Sequence, residues 1–171
     1  MGSGKTSVGR RLASLLSYDF IDLDEMIERT AGKSITEIFR EPGGELIFRR
    51  MEHALLLDIL DRQGPYVLSL GGGTPCYYDH MERILMAGQA YNIYLKASIS
   101  LLVERLYNEE AQKNRPLTTH LNDKETATEF IAKHLFERNP FYSRANLTIP
   151  VDRHTCDEIA HRILAHLSTT L

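Results

Sequence analysis

The 171-residue sequence has little that would staple, anchor or export a chain. It holds only two cysteines, Cys76 and Cys156, far apart and without metal-type spacing. That argues against a disulfide framework and fits two free thiols in a reducing cytoplasm. It has no run of 18 uncharged apolar residues, so no transmembrane helix is expected. Its first residues, MGSGKTSVGRR, lack the apolar core of a signal peptide. Positive charge is not in excess: 20 Lys+Arg stand against 23 Asp+Glu, net −3. Bulk attraction to nucleic acid or to an anionic membrane is therefore not expected. No internal repeat stands out. What is present is ordinary globular composition, 43% apolar and 25% charged. The length fits one domain over residues 1–171, able to bury about 70% of its unfolded surface without a staple.

Periodicity alternates between helix and strand. Val8, Leu12, Leu15 and Leu16 share one face of a helix predicted over Lys5–Leu16. A short strand is predicted near Phe20–Asp22, then a helix from Asp24 to Ala31. Ser34 to Glu37 has capping-box form and starts a turn through Phe39. Glu45 to Arg62 reads as a long helix facing inward with Phe48, Met51, Leu55, Leu56 and Ile59. Tyr66 to Leu70 is nearly all apolar, as in strands covered on both faces. Further helices are predicted over Asp79–Ala87, Ser98–Leu106, Glu125–Glu137 and Cys156–Leu167, with strands at Ala90–Leu95 and Leu147–Val151. The alternation implies βαβ units and a parallel sheet with helices on both faces.

Gly2-Ser3-Gly4-Lys5-Thr6 is the back half of the phosphate-loop pattern G-x-x-x-x-G-K-[ST]. Its glycines let backbone N–H groups curl around phosphate oxygens, and the following helix points its positive end at the same anion. Lys5 supplies charge for the outer phosphates, and Thr6 offers a hydroxyl to Mg²⁺. The pattern's first glycine falls ahead of residue 1, as does the strand that leads into such loops. The expectation is a chain begun at an internal methionine, with its first strand missing.

Other constellations admit two readings each. Asp22 and Asp24, two apart in an extended segment, project to one side at a strand's C-terminal end; alternatively they cap the next helix. Arg49 and Glu52, three apart on a helix, form either a held guanidinium fork or a solvated ion pair. Gly71-Gly72-Gly73 permits close backbone approach or makes a tight turn before Pro75. Arg115-Pro116-Leu117 sits in the unpatterned polar stretch Asn108–Lys124, a functional loop or a disordered one. Arg138 reads as a cation ending a helix. His161 and His166 fit a solvated helix face, and Tyr77 and Tyr78 fit packing.

Taken together, the blocks beginning at Gly2, Phe20-Ile21-Asp22-Leu23-Asp24, Phe48-Arg49-Arg50-Met51-Glu52, Leu68 to Gly73, Arg115-Pro116-Leu117 and Glu137 to Tyr142 resemble the shikimate kinase family, in order and over nearly the whole chain. The resemblance implies a three-layer α/β/α P-loop kinase of the nucleoside-monophosphate-kinase type. It implies Mg²⁺-dependent transfer of the ATP γ-phosphoryl to the 3-hydroxyl of shikimate, on the route to aromatic amino acids, in a cytoplasmic monomer with no nucleic-acid or membrane partner. ATP would be held by Gly2, Ser3, Gly4, Lys5, Thr6, Ser7, Arg115 and, in an adenine loop, Arg153. Shikimate would meet Asp24, Arg49, Gly71, Gly72, Gly73 and Arg138, the two arginines clamping its carboxylate. Lys5, Asp24 and Arg115 would be catalytic; Thr6 and, through water, Asp22 and more weakly Ser69 would hold the metal. The substrate region would span about 24–63 and a lid about 112–124. The alternatives are another small-molecule kinase, of gluconate or nucleotide type, and a nucleotide-binding protein impaired by its shortened loop.

Overall fold

The computed structural model describes residues 2–88, 90–107 and 123–170. The lid region and Arg115 therefore lie outside the described residues, except for its last two positions. Helix α1 (Lys5–Leu16) starts on Gly4, whose φ of 89° is a left-handed conformation that glycine tolerates and larger residues do not. It closes on Ser17, whose N–H donates to the carbonyls of Ala13 and Ser14. Strand β1 (Asp19–Asp22) leads directly into α2 (Leu23–Ala31). Helix α3 (Ile35–Arg40) carries the expected capping box: the Ser34 hydroxyl accepts from Glu37 N–H while the Glu37 carboxylate accepts from Ser34 N–H. Helix α4 (Gly44–Leu60) follows, then β2 (Tyr66–Ser69), a 3₁₀ turn at Thr74–Cys76, and α5 (His80–Met86). Strand β3 (Ile93–Lys96) and α6 (Ile99–Tyr107) precede the undescribed stretch. Helix α7 (Lys124–Tyr142), β4 (Leu147–Pro150) and α8 (Cys156–Thr170) complete the chain.

The strands are parallel, as the alternation implies, but they form two separate pairs. β1 pairs with β2 in the register Phe20 to Val67 and Asp22 to Ser69; β3 pairs with β4, Ile93 to Leu147 and Lys96 to Pro150. Strands β2 and β3 share no ladder. Residues of both line a cavity of about 880 Å³, with Val8 and Leu12 of α1 and Ile131 and Leu135 of α7 in its walls. The cavity leaves room beside two open strand edges, as a sheet lacking a middle strand would.

Each pair has its own apolar core. Ile21, Leu23, Ile27, Ile38, Phe48, Leu56 and Ile59 join β1 to α2, α3 and α4. Val8, Leu12, Leu95, Val103, Ile131, Ile149 and Ile163 join β3 and β4 to α1, α6, α7 and α8. Four fully buried Leu and Ile side chains, Leu23, Ile27, Ile38 and Leu56, contribute about 1.5–3 kcal/mol each to the first core.

Two element readings are corrected. Asp22 and Asp24 do not both lie on a strand: β1 ends at Asp22, and Asp24 sits in the first turn of α2. Arg138 does not end a helix. α7 runs four residues further with Pro140 inside it, because the Ser143 N–H still reaches the Asn139 carbonyl and closes the last turn.

Candidate active site

A cleft of about 1360 Å³ runs across the C-terminal ends of β1 and β2, where ligands sit in open α/β sheets. Gly2 to Ser7 form one end of it, with Asp22 and Asp24 beside them. Arg49, Glu52, Gly71 to Gly73 and Arg138 line the other part. Arg153 does not line it; exposed and at φ 63°, it follows β4, next to His154, which does.

At the phosphate-loop end, the Thr6 hydroxyl donates to Asp22 Oδ2 at 2.8 Å. Asp22 is also the N-cap of α2, its Oδ1 accepting from the N–H groups of Asp24 and Glu25. The capping reading therefore holds for Asp22 and fails for Asp24. A hydroxyl and a carboxylate side by side are hard oxygen donors of the type Mg²⁺ takes. The loop has a further support that its own pattern does not reveal. Arg105 of α6 donates from Nη1 to the Gly2 carbonyl at 2.8 Å.

Asp24 is half-buried between the loop and the glycines. Burial, and then the neighbouring Asp22 charge, push its carboxyl up to about 6; Lys5 opposes them. A carboxylate tuned there is ionised at neutral pH yet basic enough to take a proton from an alcohol.

Arg49 is gripped from several sides. Its Nη1 donates to Glu52 Oε2 at 2.7 Å, and Glu52 is fully buried, not solvated. Glu52 Oε1 accepts from the Thr74 hydroxyl at 2.6 Å. The guanidinium lies over the Tyr77 ring, 3.7 Å from its centroid, so Tyr77 does more than pack. A methyl on Gly73 would come within 2.9 Å of Arg49 Nη2; only glycine admits the arginine so closely. Arg49 Nε is buried without a hydrogen-bond partner among the described residues, its nearest carboxylate, Glu45, at 4.0 Å. Arg49 nonetheless lines the cleft, and its planar guanidinium is a fork that suits a carboxylate.

The rest of the glycine run is equally engaged. Gly71 sits against the Asp24 and Glu52 carboxylates and the Thr74 hydroxyl. The Gly72 carbonyl accepts from the Tyr142 hydroxyl, which ties α7 to the loop. Arg138, one helical turn before Tyr142, lies close enough for its charge to lower the Tyr142 hydroxyl against the effect of burial, and Arg138 and Arg49 both lower the Cys76 thiol in the same way. The two arginines thus bracket one part of the cleft. Glu52 was expected to hold Arg49, and it does; the contacts of Thr74, Tyr77, Arg105 and Tyr142 carry no such signal in the sequence, and of these four only Tyr142 lies in a motif block that could have flagged it.

Among the described residues, no group of three His, Cys, Asp or Glu side chains could hold a metal by themselves, and no helix is long and apolar enough to cross a membrane.

Comparison with known proteins agrees with this geometry. The shikimate kinase family model matches residues 1–168. A shikimate kinase of Flavobacterium johnsoniae is 41% identical over 164 residues, covering 96% of this chain and 92% of the relative. The solved shikimate kinase of Acinetobacter baumannii, in complex with shikimate, superimposes with a TM-score of 0.84 at 34% identity, covering all of this chain and 90% of that one. The shikimate kinase of Bacteroides thetaiotaomicron gives 0.84 at 31% identity, over 98% and 94% of the two chains. With its P-loop kinase architecture and a family match over nearly its full length, this chain belongs to the shikimate kinase family.

Proposed function

We propose that the protein is an ATP-dependent kinase that phosphorylates the 3-hydroxyl of shikimate. One observation supports the acceptor reading above others. An arginine whose side chain is 11% exposed, held on one side by a fully buried glutamate, lines a cleft that Arg138 also lines. Such a fork suits a planar carboxylate, and a second arginine neutralises it further. A nucleotide acceptor gives no comparable account of Gly73 opening toward Arg49 Nη2; gluconate also carries a carboxylate, and the family match favours shikimate over it.

With the acid pinned at Arg49 and Arg138, the ring's alcohol faces Asp24. The Asp24 carboxylate takes the hydroxyl proton as the oxygen attacks the γ-phosphorus. The bond from that phosphorus to the β–γ bridging oxygen breaks, and ADP leaves. Lys5 and the loop N–H groups stand where the phosphate oxygens lie, so their charge is in place before transfer. Thr6 and Asp22 are the residues that would hold Mg²⁺, which, when bound, shields the charge of the phosphates. The rate gain comes from positioning and charge placement rather than covalent catalysis.

ADP release measured against shikimate, gluconate and nucleoside monophosphates tests the reading. Shikimate-dependent release is expected; turnover of another acceptor with shikimate inert would overturn it.

A further inference from the structure

His80 is fully buried, at the first position of α5, and touches no part of the cleft itself. Its Nδ1 lies 2.8 Å from the Thr74 carbonyl oxygen, and its Nε2 lies 2.8 Å from Nδ1 of the partly exposed His53 on α4. The chemistry of the partners sets the proton positions. A carbonyl only accepts, so His80 Nδ1 carries hydrogen. The neutral ring then accepts at Nε2, so His53 Nδ1 donates. Burial favours that neutral ring.

The contacts continue through the Thr74 side chain to Glu52, which accepts from both of its neighbours. The Thr74 hydroxyl donates to Glu52, and Glu52 accepts from Arg49. His80 also pins the far end of the same turn, its backbone N–H donating to the Tyr77 carbonyl at 3.3 Å. The 3₁₀ turn between these two anchors therefore delivers two groups to Arg49: the Thr74 hydroxyl, by way of Glu52, and the Tyr77 ring. The segment that carries them is strained. Tyr78 holds φ 51°, an uncommon conformation for a large side chain, with its ring 4.6 Å from that of His53.

We propose that His80 is a positioning residue for the acceptor clamp, with His53 fixing its tautomer. It orients the Thr74–Tyr77 turn so that Glu52 and Tyr77 hold the Arg49 fork open toward the substrate carboxylate. The inference rests on the shikimate reading and adds residues remote from the reacting atoms.

The test compares His80→Leu, His80→Asn and His53→Leu with the wild type. Asparagine is chosen because its Nδ2–H takes the place of the ring's Nδ1–H. His80→Leu should raise KM for shikimate about tenfold, with kcat and KM for ATP within about threefold of wild type. His80→Asn should recover most of the loss. His53→Leu, on a partly exposed ring, should raise the same KM about threefold and keeps the assay decisive should His80→Leu fail to fold. Nitrogen-15 correlation spectra of the wild type should show His80 as the Nδ1–H tautomer, and His53→Leu should perturb that signal. A folded His80→Leu with unchanged KM for shikimate, an equal rise in KM for ATP, a folded His80→Asn without recovery, or an Nε2–H tautomer in the wild type would each overturn the proposal. Absence of shikimate turnover by the wild type would instead defeat the acceptor assignment, leaving the tautomer to judge the relay.

Discussion

Glu52 holds Arg49 from beneath, and Tyr77 covers it from above. The carboxylate is fully buried and 2.7 Å from Nη1; the ring centroid is 3.7 Å from Cζ. This pair is a support for a binding group. Removing Glu52 would leave a nearly buried guanidinium without its counter-charge, a change that costs about 3–5 kcal/mol where pairs are buried. Glu52→Ala should lower the unfolding free energy by about 3–5 kcal/mol and raise KM for shikimate more than tenfold. Chemical denaturation and steady-state kinetics check the two halves separately. Unchanged stability would mean that the pair is solvated.

The Tyr77 ring offers a finer cut. Its hydroxyl donates to Glu45 at 2.9 Å, while its face meets the guanidinium. Tyr77→Phe keeps the face and should leave KM for shikimate within about twofold. Tyr77→Leu loses a contact worth about 1–2 kcal/mol when desolvated and should raise it five- to thirtyfold. Equal effects of the two substitutions would place the contribution in the hydroxyl.

Asp24 couples catalysis to stability with opposite signs. Its carboxyl binds a proton more tightly in the native state, at about 6, than in the unfolded chain, near 3.8. Protonation therefore favours folding. Native stability should fall as pH rises from about 4 to about 6 and stay level above that, by roughly 2–3 kcal/mol in all. Asp24→Asn should remove the fall and gain about that much stability at pH 8, while kcat drops at least a hundredfold, in line with the loss of a general base. In the wild type, kcat/KM for shikimate should show an acidic limb near pH 6. Thermal melts across pH, paired with rate profiles, test this; a D24N protein no more stable than wild type at pH 8 would contradict it.

Much of this fold is legible in the chain. The α1 stripe of Val8 and Leu12, the Ser34–Glu37 box and the apolar Tyr66–Ser69 run each carry a local period or cap, and the structure follows them to within a few residues. Glu52 was harder to read because an i, i+3 ion pair has the same spacing on a wet face as in a core; its second partner, Thr74, lies 22 residues away. The Arg138 helix end misled because proline disfavours a helix at the residue before it, yet α7 absorbs Pro140 close to its own terminus. Arg105 reaches Gly2 across 103 residues, a distance over which no local pattern reports.

That long-range contact carries its own expectation. Arg105 donates to the carbonyl of a loop residue that flanks the phosphate site. Arg105→Ala leaves the carbonyl to water and frees the loop, a loss of about 1.5–3 kcal/mol for a bond to a charged donor. KM for ATP should rise about tenfold or more, with KM for shikimate little changed. Kinetics with each substrate varied in turn checks the split; a parallel rise in both would assign Arg105 to general folding.

The divided sheet makes the last prediction. Strands β2 and β3 each present an unpaired edge to a cavity walled by Val8, Leu12, Ile131 and Leu135. Open edges invite pairing with another chain. An extended apolar segment accepted between them would gain main-chain hydrogen bonds on both sides. It would also bury its side chains, at about 1.5–3 kcal/mol for each Val or Ile, against roughly 1–2 kcal/mol of backbone entropy per residue. Fusing five Val/Ile-rich residues and a connecting glycine loop ahead of residue 1 should therefore raise stability by about 3 kcal/mol, or roughly 6–12 °C in Tm. It should also reduce aggregation, while a Gly-Ser extension of equal length should do neither. Calorimetric melts and light scattering on the two fusions decide the matter: identical behaviour would mean that the cavity does not accept a strand, and that the two half-sheets are stable as separate pairs.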